Sequence, residues 1–179
     1  MIETERLRLR NWSEGDCELL HRHCNTPAVM RWLGGVQPRE GMTEVVERLI
    51  RLQEERGHTF WAVQRKEDEA FLGFCGLKIA NGHGSSVTGE LEIGWRLRED
   101  AWGRGYAKEA AIASLDHAFG KLGARRVVAL TVEGNRASWG LMERLGMRRR
   151  RDLDYFDSDW PEEMNPTIVY TLTASEWRK

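Results

Sequence analysis

Apolar residues recur along the chain at two spacings, which predict a mixture of strands and helices. Leu7 and Leu9 alternate with arginines, which is the period of a half-buried strand. Between residues 38 and 56 the apolar positions recur three and four residues apart, as on one face of a helix, and Gly57 ends the run. The predicted strands are 5–12, 58–65, 70–80, 90–97, 127–132, 148–156 and 167–172, and the predicted helices are 14–24, 38–56, 104–122 and 135–145.

The segments between these elements carry turn and capping signals. Ser13 is expected to cap the first helix, and residues 26–37, which contain a proline and two glycines, are expected to form a loop. The charged residues 66–69 join two strands as an antiparallel hairpin. Since no repeat, linker or low-complexity tract interrupts the sequence, we predict one α+β domain over residues 1–179.

Residues 90–132 read as a strand, a helix and a second strand. Within 90–97, apolar residues face one way, while Glu92 and Arg96 lie on the opposite face. The continuous apolar run 127–132 is typical of a strand covered on both faces. A βαβ unit of this kind leaves its strands parallel, so the loop before the helix lies at their carboxyl ends, the usual ligand edge.

A glycine turn occupies that edge. It has the sequence Trp102-Gly103-Arg104-Gly105-Tyr106-Ala107-Lys108 and precedes an alanine-rich helix. Because glycine lacks a Cβ, the chain can bend tightly here and direct several N–H groups at one ligand. Those donors and the positive end of the helix dipole together form an anion site.

Three phosphate-binding loops fit a strand, turn and helix, and the residues separate them. A Walker loop requires Gly-Lys followed by Ser or Thr, which this turn lacks. A dinucleotide fingerprint requires a third glycine three residues after the second, where Lys108 stands. The remaining type is a pyrophosphate loop with a small last residue, here Ala107, which lets the helix approach the ligand. This pattern resembles the acetyl-CoA loop of the GNAT acetyltransferases.

Composition narrows the class of protein further. With 41% hydrophobic and 31% charged residues the chain is typical of a folded globular protein, and its net charge of −1 predicts no specific nucleic-acid partner. The three cysteines form no Cys-x-x-Cys pair, which predicts a reducing cytoplasm. The five histidines are scattered and are not paired with cysteines at ligand spacing, which predicts no metal site. We expect no membrane association, since no stretch approaches ~18 apolar residues and no apolar signal core follows Met1.

Landmarks over nearly the whole chain resemble the GNAT N-acetyltransferases of the RimJ/RimL type. They are Glu3–Arg10, Glu92–Trp95, Trp102–Ala110, Asn135–Ser138, Leu145–Met147, Val169–Leu172 and Glu176-Trp177. The resemblance implies the GNAT fold, with helices on both faces of a mixed, mostly antiparallel sheet of about seven strands and a parallel βαβ unit at the cofactor site. The sequence departs from the family in two places. Trp102 replaces the usual Gln or Arg, and Met142 replaces a tyrosine that many members use as a general acid.

The resemblance implies an acyltransferase in which an amine attacks the thioester of acetyl-CoA directly, without a metal. A base must first deprotonate the ammonium, because only the free amine has a lone pair. Glu92 is the first candidate by family position, and Glu90 on the same face is the second. The alternative for both is a solvated surface position or an ion pair with Arg96 or Arg98. Cys75 lies in an apolar strand and is expected to be a small buried hydrophobe rather than a nucleophile.

The resemblance also assigns the cofactor contacts. Ser138 would protonate the departing thiolate and Asn135 would hold the pantetheine arm, although Asn135 could instead cap the last helix and Ser138 could bond locally. Arg104 and Lys108 would contact phosphate oxygens unless they are merely solvated, and core packing is the alternative for Tyr106. The expected cofactor-binding residues are Trp95, Arg96, Leu97, Gly103, Arg104, Gly105, Tyr106, Ala107, Lys108, Asn135 and Ser138.

The acceptor implied by the resemblance is a primary amine. The candidates are a protein N-terminus, a polyamine, an amino acid and an aminoglycoside, and the sequence does not choose among them. We expect residues 32–35 and 155–166 to flank the acceptor pocket. A homodimer is common among relatives. Two other functions remain open: a non-catalytic CoA-binding sensor or partner module of the same fold, suggested by the missing tyrosine, and a dinucleotide-binding domain with Glu133 as its acidic ribose ligand.

Overall fold

The computed structural model describes residues 1–177. The strands are β1 Ile2–Glu3, β2 Leu7–Arg10, β3 Phe60–Arg65, β4 Phe71–Ile79, β5 Leu91–Leu97, β6 Arg126–Val132, β7 Arg148–Arg149 and β8 Thr167–Thr173. The helices are α1 Asp16–Cys24, α2 Pro27–Met30, α3 Arg39–Arg56, α4 Tyr106–Asp116, α5 Arg136–Arg144 and α6 Ala174–Trp177. Within the described residues no helix is both long and apolar enough to span a membrane.

The strands form one mixed sheet in the order β1-β2-β3-β4-β5-β6-β8-β7. Five pairs of neighbouring strands are antiparallel: β1–β2, β2–β3, β3–β4, β6–β8 and β7–β8. The β5–β6 pair is parallel, with Leu91 opposite Val127, which confirms the predicted βαβ unit. The sheet has eight strands rather than about seven, because the two-residue β1 is too short to produce an alternating pattern in the sequence.

The chain divides into two compact units, and the first comprises residues 1–77 and 94–114. Consecutive residues of β4 serve opposite faces of its part of the sheet. Phe74 belongs to an apolar cluster with Leu20 of α1 and Val46 of α3. Cys75 is fully buried, with its Sγ 3.8 Å from Oγ of Ser114 in α4. Helices therefore cover both faces of this unit.

The second unit comprises residues 78–93 and those from 115 onward. Strand β6 pairs with β8 over its whole length, from Arg126 opposite Thr173 to Val132 opposite Thr167. Val127, Val128 and Ala129 are fully buried, as expected from the continuous apolar run. The prediction of a single domain over residues 1–179 stays a prediction.

Three local predictions were wrong. Ser13 does not cap α1; its backbone N and its Oγ instead donate to Asp16 Oδ2, at 2.8 and 3.0 Å. The predicted loop 26–37 contains the short helix α2, which Thr26 caps and Pro27 opens. The predicted strand 148–156 ends after Arg149, because Asp154 Oδ1 rather than a backbone carbonyl accepts the Val169 N–H, at 2.9 Å.

Candidate active site

The glycine turn before α4 has a backbone that only glycine adopts readily. Gly103 has φ +71° and Gly105 has φ +82°, both in the left-handed region. A Cβ at Gly103 would meet no atom within 4 Å, and one at Gly105 would meet only Arg6 Nη2 at 3.4 Å. The glycines are thus needed for backbone shape rather than to relieve crowding within the protein. The turn is exposed and leads directly into α4, whose first N–H groups lack intrahelical acceptors.

Glu109, a carboxylate in the first turn of α4, anchors the N-terminal segment beside the glycine turn. Glu109 Oε2 accepts from Arg6 Nε at 2.7 Å, while Oε1 accepts from Arg6 N at 2.9 Å and from Thr4 Oγ1 at 2.5 Å. Arg6 also donates to the carbonyl of Arg104 at 3.0 Å. Burial alone would raise the pKa of Glu109, but the hydrogen bonds from Thr4 and Arg6 outweigh it and hold the pKa below its ordinary value. The N-terminal segment therefore fixes the loop through charged hydrogen bonds.

The other loop residues divide between packing and exposure. Tyr106 is buried beneath the Arg6 guanidinium, 4.6 Å from its ring centroid, which favours the packing interpretation. Trp102 is exposed, and its indole N–H donates to the Leu97 carbonyl at 2.7 Å. Arg104 and Lys108 are exposed, and within residues 1–177 neither side chain forms an ion pair. Their charges remain available to an anion. Ala107 and Trp95 are half-buried, and Leu97 is buried.

The two candidate bases have different surroundings. Glu92 is only 8% exposed, and its Oε2 lies 3.1 Å from Nζ of Lys78. Burial raises the pKa of Glu92, and the Lys78 ammonium opposes that shift. Glu90 is half-buried in an ion pair with Arg126, at 2.5 Å. The predicted partners Arg96 and Arg98 were wrong for both glutamates.

Sequence reasoning missed Lys78 and treated Tyr155 only as part of a flanking loop. Lys78 is the one charged residue in β4, which is a signal that the sequence does contain. Tyr155 is 9% exposed; burial raises the pKa of its phenol, as do the negative charges of Asp157 and Glu92. A Cβ at Gly82 would lie 2.7 Å from Tyr155 Oη, so that glycine makes room for the hydroxyl.

Asn135 and Ser138 lie at the start of α5. Asn135 Oδ1 accepts from the Ser138 N–H at 3.3 Å, which is the capping arrangement. The Asn135 amide NH₂ donates to no group within residues 1–177, so its donors remain available to a ligand. Ser138 is half-buried, and Met142 is buried at the position of the family's tyrosine.

The buried cysteines Cys24 and Cys75 are poorly suited to act as thiolate nucleophiles. Burial raises the pKa of Cys75 to about 12, and the same cause raises that of Cys24 to about 12. Both thiols stay protonated at neutral pH, as expected of small buried hydrophobes. In the part of the chain that the structure describes, His, Cys, Asp and Glu residues form no group of three that could hold a metal ion.

Comparison with known proteins identifies the family. The family described as "Acetyltransferase (GNAT) domain" matches residues 6–148. The uncharacterised protein YkkB of Bacillus subtilis is 33% identical over 147 residues, which are 82% of this chain and 84% of that protein. An acetyltransferase (GNAT family) from Bacillus anthracis has the same fold, with a TM-score of 0.79 at 24% identity over 98% of this chain and 99% of that chain. Spermidine N-acetyltransferase from Vibrio cholerae, solved with CoA and spermine, gives a TM-score of 0.75 at 17% identity over 98% and 100% of the two chains. The chain therefore belongs to the GNAT family of acetyltransferases.

Proposed function

We propose that the protein transfers an acetyl group from acetyl-CoA to a primary amine in the cytoplasm, as an N-acetyltransferase of the RimJ/RimL type. The observation that carries the proposal is the exposed turn with left-handed Gly103 and Gly105, which Arg6 and Glu109 fix at the start of α4. The RimJ/RimL assignment is supported by the motifs Glu92–Trp95 and Trp102–Ala110. A homodimer stays a prediction.

The residues present fit the phosphates of acetyl-CoA. N–H groups of residues 103–108 would hold the pyrophosphate, and Arg104 and Lys108 would add positive charge. The free NH₂ of Asn135 would hold the pantetheine arm, and backbone groups of residues 95–97 would hold the acyl end. Tyr106 supports the loop by packing. When bound, acetyl-CoA supplies the acetyl group as an activated thioester.

Glu92 would accept the proton that the acceptor ammonium must lose. An isolated carboxylate is a weak base, and burial raises the pKa of Glu92 toward the range in which a base works best. The Lys78 ammonium opposes that rise in pKa. Ser138 would give a proton to the leaving thiolate. Tyr155 keeps its own proton at neutral pH because its pKa is raised.

Replacement of Lys78 tests this role of Glu92 through the pH profile. In Lys78→Met the opposing charge is gone, so the pKa of Glu92 should rise further. A base acts when ionised, so activity appears as pH rises through that pKa. We therefore expect the acid limb of the kcat/KM profile to move to higher pH. Lys78→Arg keeps the charge and should leave the limb near its wild-type position; an unmoved limb in Lys78→Met would show that Glu92 does not set it.

Calorimetry with acetyl-CoA and with NAD tests the cofactor. We expect binding of acetyl-CoA and no heat from NAD, because the dinucleotide loop would need a glycine at Lys108. NAD binding without acetyl-CoA binding would refute the proposed acetyltransferase function and favour a dinucleotide-binding domain. A screen of primary amines by free-thiol release should then find turnover. Binding of acetyl-CoA without turnover across a broad screen would favour the non-catalytic sensor.

A further inference from the structure

Arg96 on β5 carries a charge that the protein does not neutralise. Its Nε and Nη1 are buried without a hydrogen-bond acceptor, and no carboxylate within residues 1–177 lies within 4 Å of its guanidinium nitrogens. Other partly buried arginines have such partners at short distance. These pairs are Arg10–Asp16, Arg65–Asp68, Arg98–Asp100, Arg126–Glu90 and Arg149–Asp154.

The surroundings of Arg96 are aromatic and apolar. Its guanidinium carbon lies 5.0 Å from the ring centroid of Phe74, which stacks on Phe60 at 5.4 Å. Two residues earlier on the same strand face, a Cβ at Gly94 would come within 2.9 Å of the Phe60 ring. The aromatic pair therefore lies against this face of β5. Contact with a ring repays only part of the cost of removing a guanidinium from water.

Neighbouring ionisable groups do not supply the missing negative charge. The Cys24 thiol interacts electrostatically with Arg96 but stays protonated, because burial raises its pKa to about 12. Arg48 of α3 adds a second positive charge, and burial lowers the pKa of Arg96. Arginine nevertheless keeps its proton in proteins. A half-buried cation whose Nε and Nη1 are buried without an acceptor is costly, which points to a ligand that brings the counter-charge.

The direction of the side chain separates this site from the cofactor phosphates. Arg96 lies over Phe74, on the sheet face that holds α1, α3 and Leu33. Cys75, the next residue of β4, contacts Ser114 of α4 on the opposite face. The glycine turn assigned to the pyrophosphate leads into α4, and the pantetheine arm of acetyl-CoA is uncharged. An anion at Arg96 therefore belongs to the acceptor, on the side where residues 32–35 lie.

We propose that Arg96 is a specificity-determining residue that binds a carboxylate of the acceptor, so that the substrate is an amine bearing an acidic group, such as an amino acid or a short peptide, rather than a polyamine. This inference rests on the proposed function. The carboxylate satisfies the guanidinium N–H groups with charged hydrogen bonds. Polycationic amines such as spermidine are repelled by Arg96 and Arg48.

Matched acceptors test the proposal. Amino acids and dipeptides are each compared with their carboxamides, which keep the amine and lose the negative charge. At equal free-amine concentration, we expect kcat/KM to favour the acid roughly tenfold to a hundredfold, as for hydrogen bonds to charged groups. Arg96→Gln should remove this preference, lowering kcat/KM for the acid toward the value for its carboxamide. Equal rates for acid and amide in the wild type, a preference retained in Arg96→Gln, or faster turnover of spermidine would each overturn it.

A binding measurement keeps the proposal testable without turnover. N-acetylglycine should raise the melting temperature of the wild-type protein more than N-acetylglycinamide does, and this difference should vanish in Arg96→Gln. Should the glutamine variant fail to fold, Arg96→Met replaces it, because an apolar chain of similar length suits the aromatic surroundings. Equal shifts for both compounds would refute the carboxylate site. Failure of acetyl-CoA to bind would refute the proposed function instead, and the thermal shifts then decide Arg96 separately.

Discussion

Glu92→Gln is expected to lower kcat by about 10²- to 10⁴-fold, the contribution typical of a general base. Glutamine keeps the size and polarity of the side chain but cannot accept the proton of the ammonium. The variant should bind acetyl-CoA with unchanged affinity, as measured by calorimetry. Its melting temperature at pH 8 should be at or above that of the wild type. The reason is that the pKa of Glu92 is raised in the fold, which makes its ionisation costly above the ordinary carboxylate pKa.

Glu90→Gln is the matched control. It removes a carboxylate two residues away that is half-buried and paired with Arg126. Loss of this partly exposed ion pair should cost no more than about 1 kcal/mol of stability and leave kcat nearly unchanged. If Glu90→Gln instead abolishes turnover and Glu92→Gln does not, the base is Glu90, and Glu92 has no catalytic role.

Gly105→Val is expected to weaken acetyl-CoA binding roughly a hundredfold, the equivalent of losing one or two charged hydrogen bonds. A β-branched residue does not tolerate the φ of +82° found there, so the turn must change shape and redirect its N–H groups. The protein itself offers space for the side chain, since only Arg6 Nη2 lies near, at 3.4 Å. Folding should therefore survive, and the loss should appear in the dissociation constant measured by calorimetry.

Gly57→Val separates backbone strain from ligand binding. Gly57 also has a left-handed φ, +72°, and a Cβ there would meet nothing within 4 Å. It ends α3, where its N–H donates to the Gln53 carbonyl at 2.8 Å. The substitution should cost similar stability, of order 1–3 kcal/mol, yet leave the acetyl-CoA affinity within about twofold. Equal losses of affinity in the two variants would mean that global destabilisation, and not the turn, accounts for the effect at Gly105.

Features governed by local physics were predictable from the sequence. The helix of residues 39–56 and its glycine stop follow from apolar spacing and from the need for a left-handed residue at the helix end. The parallel pairing of β5 and β6 follows from the handedness of a βαβ connection. The left-handed Gly103 and Gly105 of the turn before α4 were recognisable because the spacing of glycines indicates backbone shape.

Charge pairing was not predictable from the sequence, because it depends on which strands become neighbours and on how far each side chain is buried. The sequence offered Arg96 or Arg98 as an alternative ion-pair partner for Glu92 and Glu90. The partners are instead Lys78 for Glu92 and Arg126 for Glu90. The alternation of residues in β5 predicted the face on which Arg96 lies. It did not predict that Phe74 and Phe60 pack beneath that side chain. The unpaired guanidinium became visible only in three dimensions.

The hydrogen bonds between the N-terminal segment and Glu109 would make the proposed cofactor binding depend on residues far from the glycine turn in sequence. Thr4 and Arg6 reach Glu109 across 105 and 103 residues. Contacts of such long sequence separation carry an entropic cost of loop closure, which the folded protein must offset. The glycine turn thus acquires its support only after the start of the chain has returned to α4. Removal of residues 1–6 should consequently abolish acetyl-CoA binding, even though every residue of the turn is still present.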